Sequence, residues 1–99
     1  MNGMEFEWDP NKASRNLAKH GVSFHDAGTV FGDPLAITYI DPDHSKDEKR
    51  LLTFGHSQGG PLLVVSHTDR GGRIRIISSR RASRRERKFY EERKQSNGR

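Results

Sequence analysis

Lysine and arginine are unevenly placed in this sequence, and their placement is the first sign of chemistry. Residues 70–99 hold 12 Lys/Arg against 3 Asp/Glu, a net of +9, whereas residues 1–69 hold 6 against 10, a net of −4. A planar guanidinium forks two oxygens of one phosphate and stays charged at any working pH. Arg50, Arg70, Arg75, Arg80, Arg84, Arg85 and Arg87, with Lys88, are therefore groups that could line a polyanion. The concentration toward the C-terminus is the footprint of nucleic-acid contact, through phosphate neutralisation and counterion release. A solvated helix face, or a dock for an acidic protein, is the alternative. Three further side chains could move a proton: the imidazole of His67 and the carboxylates of Glu48 and Glu86. Each also has a plainer reading. His67 shares strand parity with Leu63 and Val65 and suits a core margin, Glu86 suits a helix cap, and Glu48 suits a surface ion pair with Arg50.

Other chemistries have little to stand on. There is no cysteine, so no disulfide framework, thiolate metal site or thiol redox centre is available. The five histidines, at 20, 25, 44, 56 and 67, match no helix-borne H-E-x-x-H or finger spacing, even though His44 and His56 flank acidic residues. No metal and no cofactor is expected. His20, next to Gly21, fits a cation at a helix terminus. The pairs Gly59-Gly60 and Gly71-Gly72 lack the strand-to-helix context of a phosphate loop and read as turns.

The elements that must position these groups can be read in order. Phe6-Glu7-Trp8 alternates as a short strand, and Asp9-Pro10 then caps and opens a helix over about residues 10–20, with Ala13, Leu17 and Ala18 as its apolar stripe and Gly21 as its stop. Ser23 with Asp26 opens a second helix, in which Phe24, Ala27, Val30 and Phe31 recur at helical spacing until Gly32-Asp33-Pro34. Residues 35–40, 50–56, 61–68 and 73–79 read as strands separated by turns. The third is an almost continuous apolar run that belongs at a sheet centre. Three hairpins in succession make a meander of about four antiparallel strands. Ser83-Arg84-Arg85-Glu86 is a capping-box pattern that opens a basic C-terminal helix over about 83–94, anchored by Phe89 and Tyr90, with residues 96–99 frayed.

Size and composition bound the rest. At 99 residues the chain is one domain, over residues 1–95, with a tail at 96–99. Hydrophobic residues are only 30% of the composition and charged residues 31%, so the core is small and a partner would add stability. No apolar run approaches the roughly 20 residues that span a bilayer, and the N-terminus has neither the basic region nor the apolar stretch of an export signal. A cytoplasmic location without membrane contact is expected.

An ordered set of residues with short gaps extends these local readings. Phe6-Glu7-Trp8-Asp9, Lys12, Asn16, Lys19 to Phe24, Ala27, Val30-Phe31, Asp33-Pro34, His44-Ser45, Glu48, Arg50, Leu63-Val64-Val65, Thr68, Arg70, Arg75 to Ser78, Arg80, Ala82, Glu86-Arg87 and Tyr90-Glu91 together resemble the BrnT family across nearly the whole chain. One departure is Pro61 after Gly60, where the pattern has an arginine. The resemblance implies a RelE-like α+β fold, with two N-terminal helices packed on a roughly four-stranded antiparallel sheet and a basic C-terminal helix. It implies a bacterial endoribonuclease toxin that arrests growth. It also implies a BrnA-like antitoxin, two per two toxins, that masks the toxin and binds operator DNA to autorepress the operon. RNA cleavage without a metal uses the 2′-hydroxyl as nucleophile and needs a base, an acid and cations for the phosphorane charge. On that reading Arg80 and Arg50 are the leading catalytic cations, and His67, Glu48 and Glu86 are the proton-transfer candidates. Arg70, Arg75, Arg84, Arg85, Arg87 and Lys88 extend an RNA track, and Tyr90 is placed either to stack on a base or to anchor its helix. The alternative is a non-catalytic nucleic-acid-binding module or repressor-complex subunit.

Overall fold

The computed structural model of the chain describes residues 4–46 and 48–97. Its elements are β1 (Phe6–Glu7), α1 (Pro10–His20), α2 (Phe24–Thr29) continued by a 3-10 turn (Val30–Gly32), β2 (Ile37–Ile40), a second 3-10 turn (Pro42–His44), β3 (Leu51–His56), β4 (Leu62–Arg70), β5 (Arg73–Arg81) and α3 (Arg84–Asn97). β2 to β5 form the expected antiparallel meander. The expectation of a four-stranded, wholly antiparallel sheet is corrected by β1. This strand pairs parallel to β5 through Phe6↔Ile74 and Glu7↔Arg75, making a mixed five-stranded sheet in the order β1-β5-β4-β3-β2. A two-residue strand carries no sign of its partner. Here the pairing is held by Ile74 N–H donating to the Glu5 carbonyl at 2.9 Å and by Arg75 Nη1 donating to Glu7 at 3.0 Å.

Helix α1 begins as its sequence directs. Asp9 accepts from the Asn11 N–H at 2.9 Å, Pro10 takes the first turn, and Gly21 closes the helix at φ 70°, a left-handed conformation that costs glycine little. The buried face differs from the expected stripe, since Leu17 is 51% exposed and Asn16 only 7%. β1 covers β5 only as far as Arg75, so the outward backbone groups of Ser79 need another partner. Asn16 supplies it, donating to the Ser79 carbonyl at 2.8 Å and accepting the Ser79 N–H at 3.1 Å, with a further bond to the Val22 carbonyl at 3.0 Å. A leucine facing inward there would leave those groups unpaired.

The sheet is covered on both faces. Leu62 and Leu63 are consecutive in β4 and therefore point to opposite sides, and they belong to separate core clusters. Leu63, Val65 and Ile76 pack under Val22, Phe24, Ala27 and Val30 from the α1–α2 link, α2 and the turn after it. Leu62 packs with Ile37 and with Tyr90 of α3 on the other face. The Tyr90 hydroxyl donates to Asp33 Oδ2 at 2.6 Å, and the same carboxylate accepts the N–H groups of His56 at 2.8 Å and Leu35 at 2.9 Å. α3 is thus fastened to the turn before β2 and to the end of β3. It runs to Asn97, so the expected frayed segment 96–99 overlaps its last two residues and otherwise lies outside the described residues. Among the described residues no helix is long and apolar enough to cross a membrane.

Candidate functional site

The arginines named above are sorted by strand parity. On β4, Leu62 faces α3, and so by alternation do Val64, Ser66 and Thr68. Arg80 pairs with Val64 and Arg75 with Thr68. Arg75 and Arg80 are five positions apart, a spacing that puts two side chains on opposite faces of a regular strand. A bulge resolves this: Ser66 pairs with Ser78 but His67 pairs with Ile76, leaving Ile77 as the extra residue. The slip brings Arg75, Ser78 and Arg80 to the α3 side together. On β3, His56 pairs with Leu62 and Phe54 with Val64, so Phe54 and Leu52 face the same way, and Arg50 continues that parity. From the register, Arg50 lies two strands across and four residues along from Arg80, roughly 16 Å at strand dimensions. The two leading arginines therefore share a face as points on a track and are not gathered on a single phosphate.

Arg80 is the most firmly aimed of the set. Its Nη1 and Nη2 meet the two carboxylate oxygens of Glu86 at 2.8 and 2.9 Å. Glu86 in turn accepts the Ser83 N–H at 2.8 Å and returns its own N–H to Ser83 Oγ at 3.2 Å, the expected capping box of α3. The Arg80 hydrogen bonds, with help from Ser83 and against partial burial, bring the Glu86 carboxyl down to about 2. The same pair raises Arg80 above its ordinary value. A carboxylate so acidic is a poor proton acceptor near neutral pH; its geometry is that of a clamp that orients the guanidinium. Arg84, Arg85, Arg87 and Lys88 follow on the first two turns of α3, all exposed.

The other candidates are placed as follows. Arg50 lines an open cleft with Asp43, His44, Lys46 and Glu48. Its backbone is pinned there by Asp41, whose N–H reaches the Arg50 carbonyl at 2.8 Å, and by Ser45 Oγ, which accepts the Arg50 N–H at 3.0 Å. Glu48 also faces Arg70 at 3.8 Å, with both side chains largely exposed, a loose pair. Arg75 is tied to Glu7 of β1 at 3.0 Å. His67 is not brought to this face. It is 4% exposed on the α1/α2 side, its Nε2 bonds Thr53 Oγ1 at 2.7 Å, and its ring stands edge-on to Phe31 at 4.8 Å. Burial lowers its pKa, partly opposed by the charge of Asp69. Tyr90 is likewise turned inward, 2% exposed with its hydroxyl on Asp33. It is the helix anchor and is not offered to a base.

A histidine that sequence reasoning considered only for metal binding stands in the Arg50 cleft. His44 Nδ1 lies 2.9 Å from Asp41 Oδ2, across the 3-10 turn Pro42–His44. Burial pushes the Asp41 carboxyl up, but the His44 ring and the Asp43 N–H hold it below its ordinary value. An ionised carboxylate only accepts, so Nδ1 is the donor in this contact. The sequence signal was Asp41-Pro42-Asp43-His44, an acidic cap with Pro at the first position of a short turn and a histidine three residues on. Among the described residues no three His, Asp or Glu side chains gather as a metal would require.

Comparison with known proteins agrees with this fold. The crystal structure of the Brucella abortus ribonuclease toxin BrnT superposes with a TM-score of 0.61 at 27% sequence identity, covering 83% of this chain and 100% of that one. No curated protein sequence matches the chain. The model of the family described as ribonuclease toxin, BrnT, of type II toxin-antitoxin system matches residues 8–86. That span runs from the end of β1 to the glutamate that clamps Arg80 and takes in the whole meander, and the chain belongs to the BrnT family of ribonuclease toxins of type II toxin-antitoxin systems.

Proposed function

We propose that the protein is an endoribonuclease that needs no metal and cleaves RNA by attack of a ribose 2′-hydroxyl on the adjacent phosphorus. The observation that carries this reading is the shared face of Arg50, Arg75 and Arg80, with Arg80 locked by both oxygens of Glu86. Charge builds on the non-bridging oxygens as the phosphorane forms, and a guanidinium held in place before the reaction stabilises it without reorganising. The arginine at the reacting phosphate takes that role, the other two of Arg50, Arg75 and Arg80 hold neighbouring phosphates, and Arg70 with the exposed cations of α3 extends the track. Membership in a toxin-antitoxin family supports an antitoxin partner. We read that partner as BrnA-like, assembling two to two with the toxin, covering the basic face in the cytoplasm and binding operator DNA to autorepress the operon. We read the fold as RelE-like, with β1 as an added edge.

The test is antitoxin-free protein incubated with a structured RNA in EDTA, beside Arg80→Ala. Cutting by the wild type, and far less by the variant at limiting RNA, supports the reading. RNA that is bound and stays intact, free or on ribosomes, favours a non-catalytic binding module instead.

A further inference from the structure

We infer that His44, oriented by Asp41, is the general base of the reaction, so that the bond-breaking centre is the Arg50 cleft and Arg80 grips a flanking phosphate. This rests on the ribonuclease reading above. The ring is a side chain with one nitrogen engaged and one on offer. Nδ1 donates to a buried carboxylate at 2.9 Å while 63% of the side chain is exposed. The carboxylate is itself fixed, because Asp41 Oδ1 accepts the Asp43 N–H at 3.1 Å and the Asp41 backbone is bonded to Arg50. Such a base held by an oriented acceptor is the arrangement that stabilises the imidazolium formed when a proton is taken up. The residues facing His44 are Asp41, Asp43, Lys46, Glu48 and Arg50. Arg50 brings a phosphate-binding fork into the same cleft as the base.

The step balances without a co-reactant. His44 Nε2 takes the proton of the 2′-hydroxyl, and O2′ bonds to phosphorus. The P–O5′ bond breaks, O5′ leaves with a proton from water, and His44 returns its own to solvent. The products are a 2′,3′-cyclic phosphate and a 5′-hydroxyl. Asp41 bonds the ring but no reacting atom, and is a positioning residue.

The experiment compares wild type, His44→Gln and Asp41→Asn for RNA affinity, cleavage rate across pH and thermal stability. His44→Gln should bind RNA within a few-fold of wild type, cut it about 10²–10⁴-fold more slowly and lose the acidic limb of the pH–rate profile. Asp41→Asn should lose less and shift that limb. Added imidazole should restore part of the rate of a folded His44→Gly variant. Wild-type rate and an unchanged profile in His44→Gln would overturn the assignment, as would a rate loss matched by lost RNA affinity or lost folding with no imidazole rescue. If the wild type itself cuts no RNA, the ribonuclease reading falls first, a different result from an active wild type with an equally active His44→Gln.

Discussion

Glu86 joins Arg80 through both carboxylate oxygens at 2.8 and 2.9 Å, and through one of those oxygens it also caps α3 at Ser83. The start of a basic helix and the aim of a sheet arginine are therefore one unit. Arg80→Lys keeps the charge but loses the fork. With Arg80 as the grip on a phosphate beside the cut, it should weaken RNA binding and slow cleavage at limiting RNA far more than at saturating RNA, at nearly unchanged thermal stability. Glu86→Gln should lower both rate and stability, the latter by about 0.5–2 kcal/mol for the weakened cap. Single-turnover cleavage and thermal melts of the two variants check this.

The same carboxylate gives an acid-stability prediction. Glu86 is at about 2 in the folded chain against an ordinary 4.5, so its protonation is disfavoured by folding. Its contribution is whole above pH 4.5 and is lost as pH falls toward about 2. In an acid titration followed by circular dichroism, Glu86→Gln should show less loss of stability than wild type across that window.

His67 gives a second loss on the acid side, in a window nearer neutrality. Burial depresses its pKa below 6.5, so the folded chain holds the neutral ring while the unfolded chain takes up a proton. The stability it supports is full above pH 6.5 and falls as pH drops below that value. Thermal melts between neutral and mildly acidic pH should show a decline in wild type that is shallower in His67→Gln. A catalytic role for His67 predicts instead that this variant abolishes cleavage at every pH.

Tyr90 fastens α3 by burial and by its bond to Asp33. Tyr90→Phe keeps the ring and removes the hydroxyl, and should cost about 1 kcal/mol. Tyr90→Ala also opens a cavity beside Ile37 and Leu62 and should cost about 3–5 kcal/mol. Denaturant unfolding distinguishes the two, and RNA affinity should survive Tyr90→Phe intact.

The exposed cations of α3 act through charge alone. Replacing Arg84 or Arg87 with alanine should weaken RNA binding without regard to sequence and flatten the salt dependence by about 0.7 for each phosphate that is no longer neutralised. Filter binding at several salt concentrations measures that slope.

Much of this architecture was legible beforehand, where a signal is local. Asp9-Pro10, Ser23 with Asp26, and Ser83 with Glu86 announce helix starts because each cap bonds within three residues, and all three form. The run Leu62 to Val65 announces a central strand because both of its faces are buried. What could not be read depends on distant partners. Leu17 outranks Asn16 in hydrophobicity, yet Asn16 is buried because Ser79, 63 residues away, needs its amide. The bulge at Ile77 decides whether Arg75 and Arg80 share a face, and nothing in Ile76-Ile77-Ser78 marks it. For His67 the parity with Leu63 and Val65 was readable and pointed to the core margin where it lies, but its bond to Thr53, 14 residues away, was not.

The most direct test of the account is the chemistry of the cut ends. Fragments produced in EDTA by purified, antitoxin-free protein should carry a 2′,3′-cyclic phosphate on one side and a 5′-hydroxyl on the other, as 2′-hydroxyl attack requires, and at limiting RNA should be sharply reduced with Arg80→Ala. Fragments with a 3′-hydroxyl and a 5′-phosphate, or cutting that returns only when a divalent cation is restored, would contradict it.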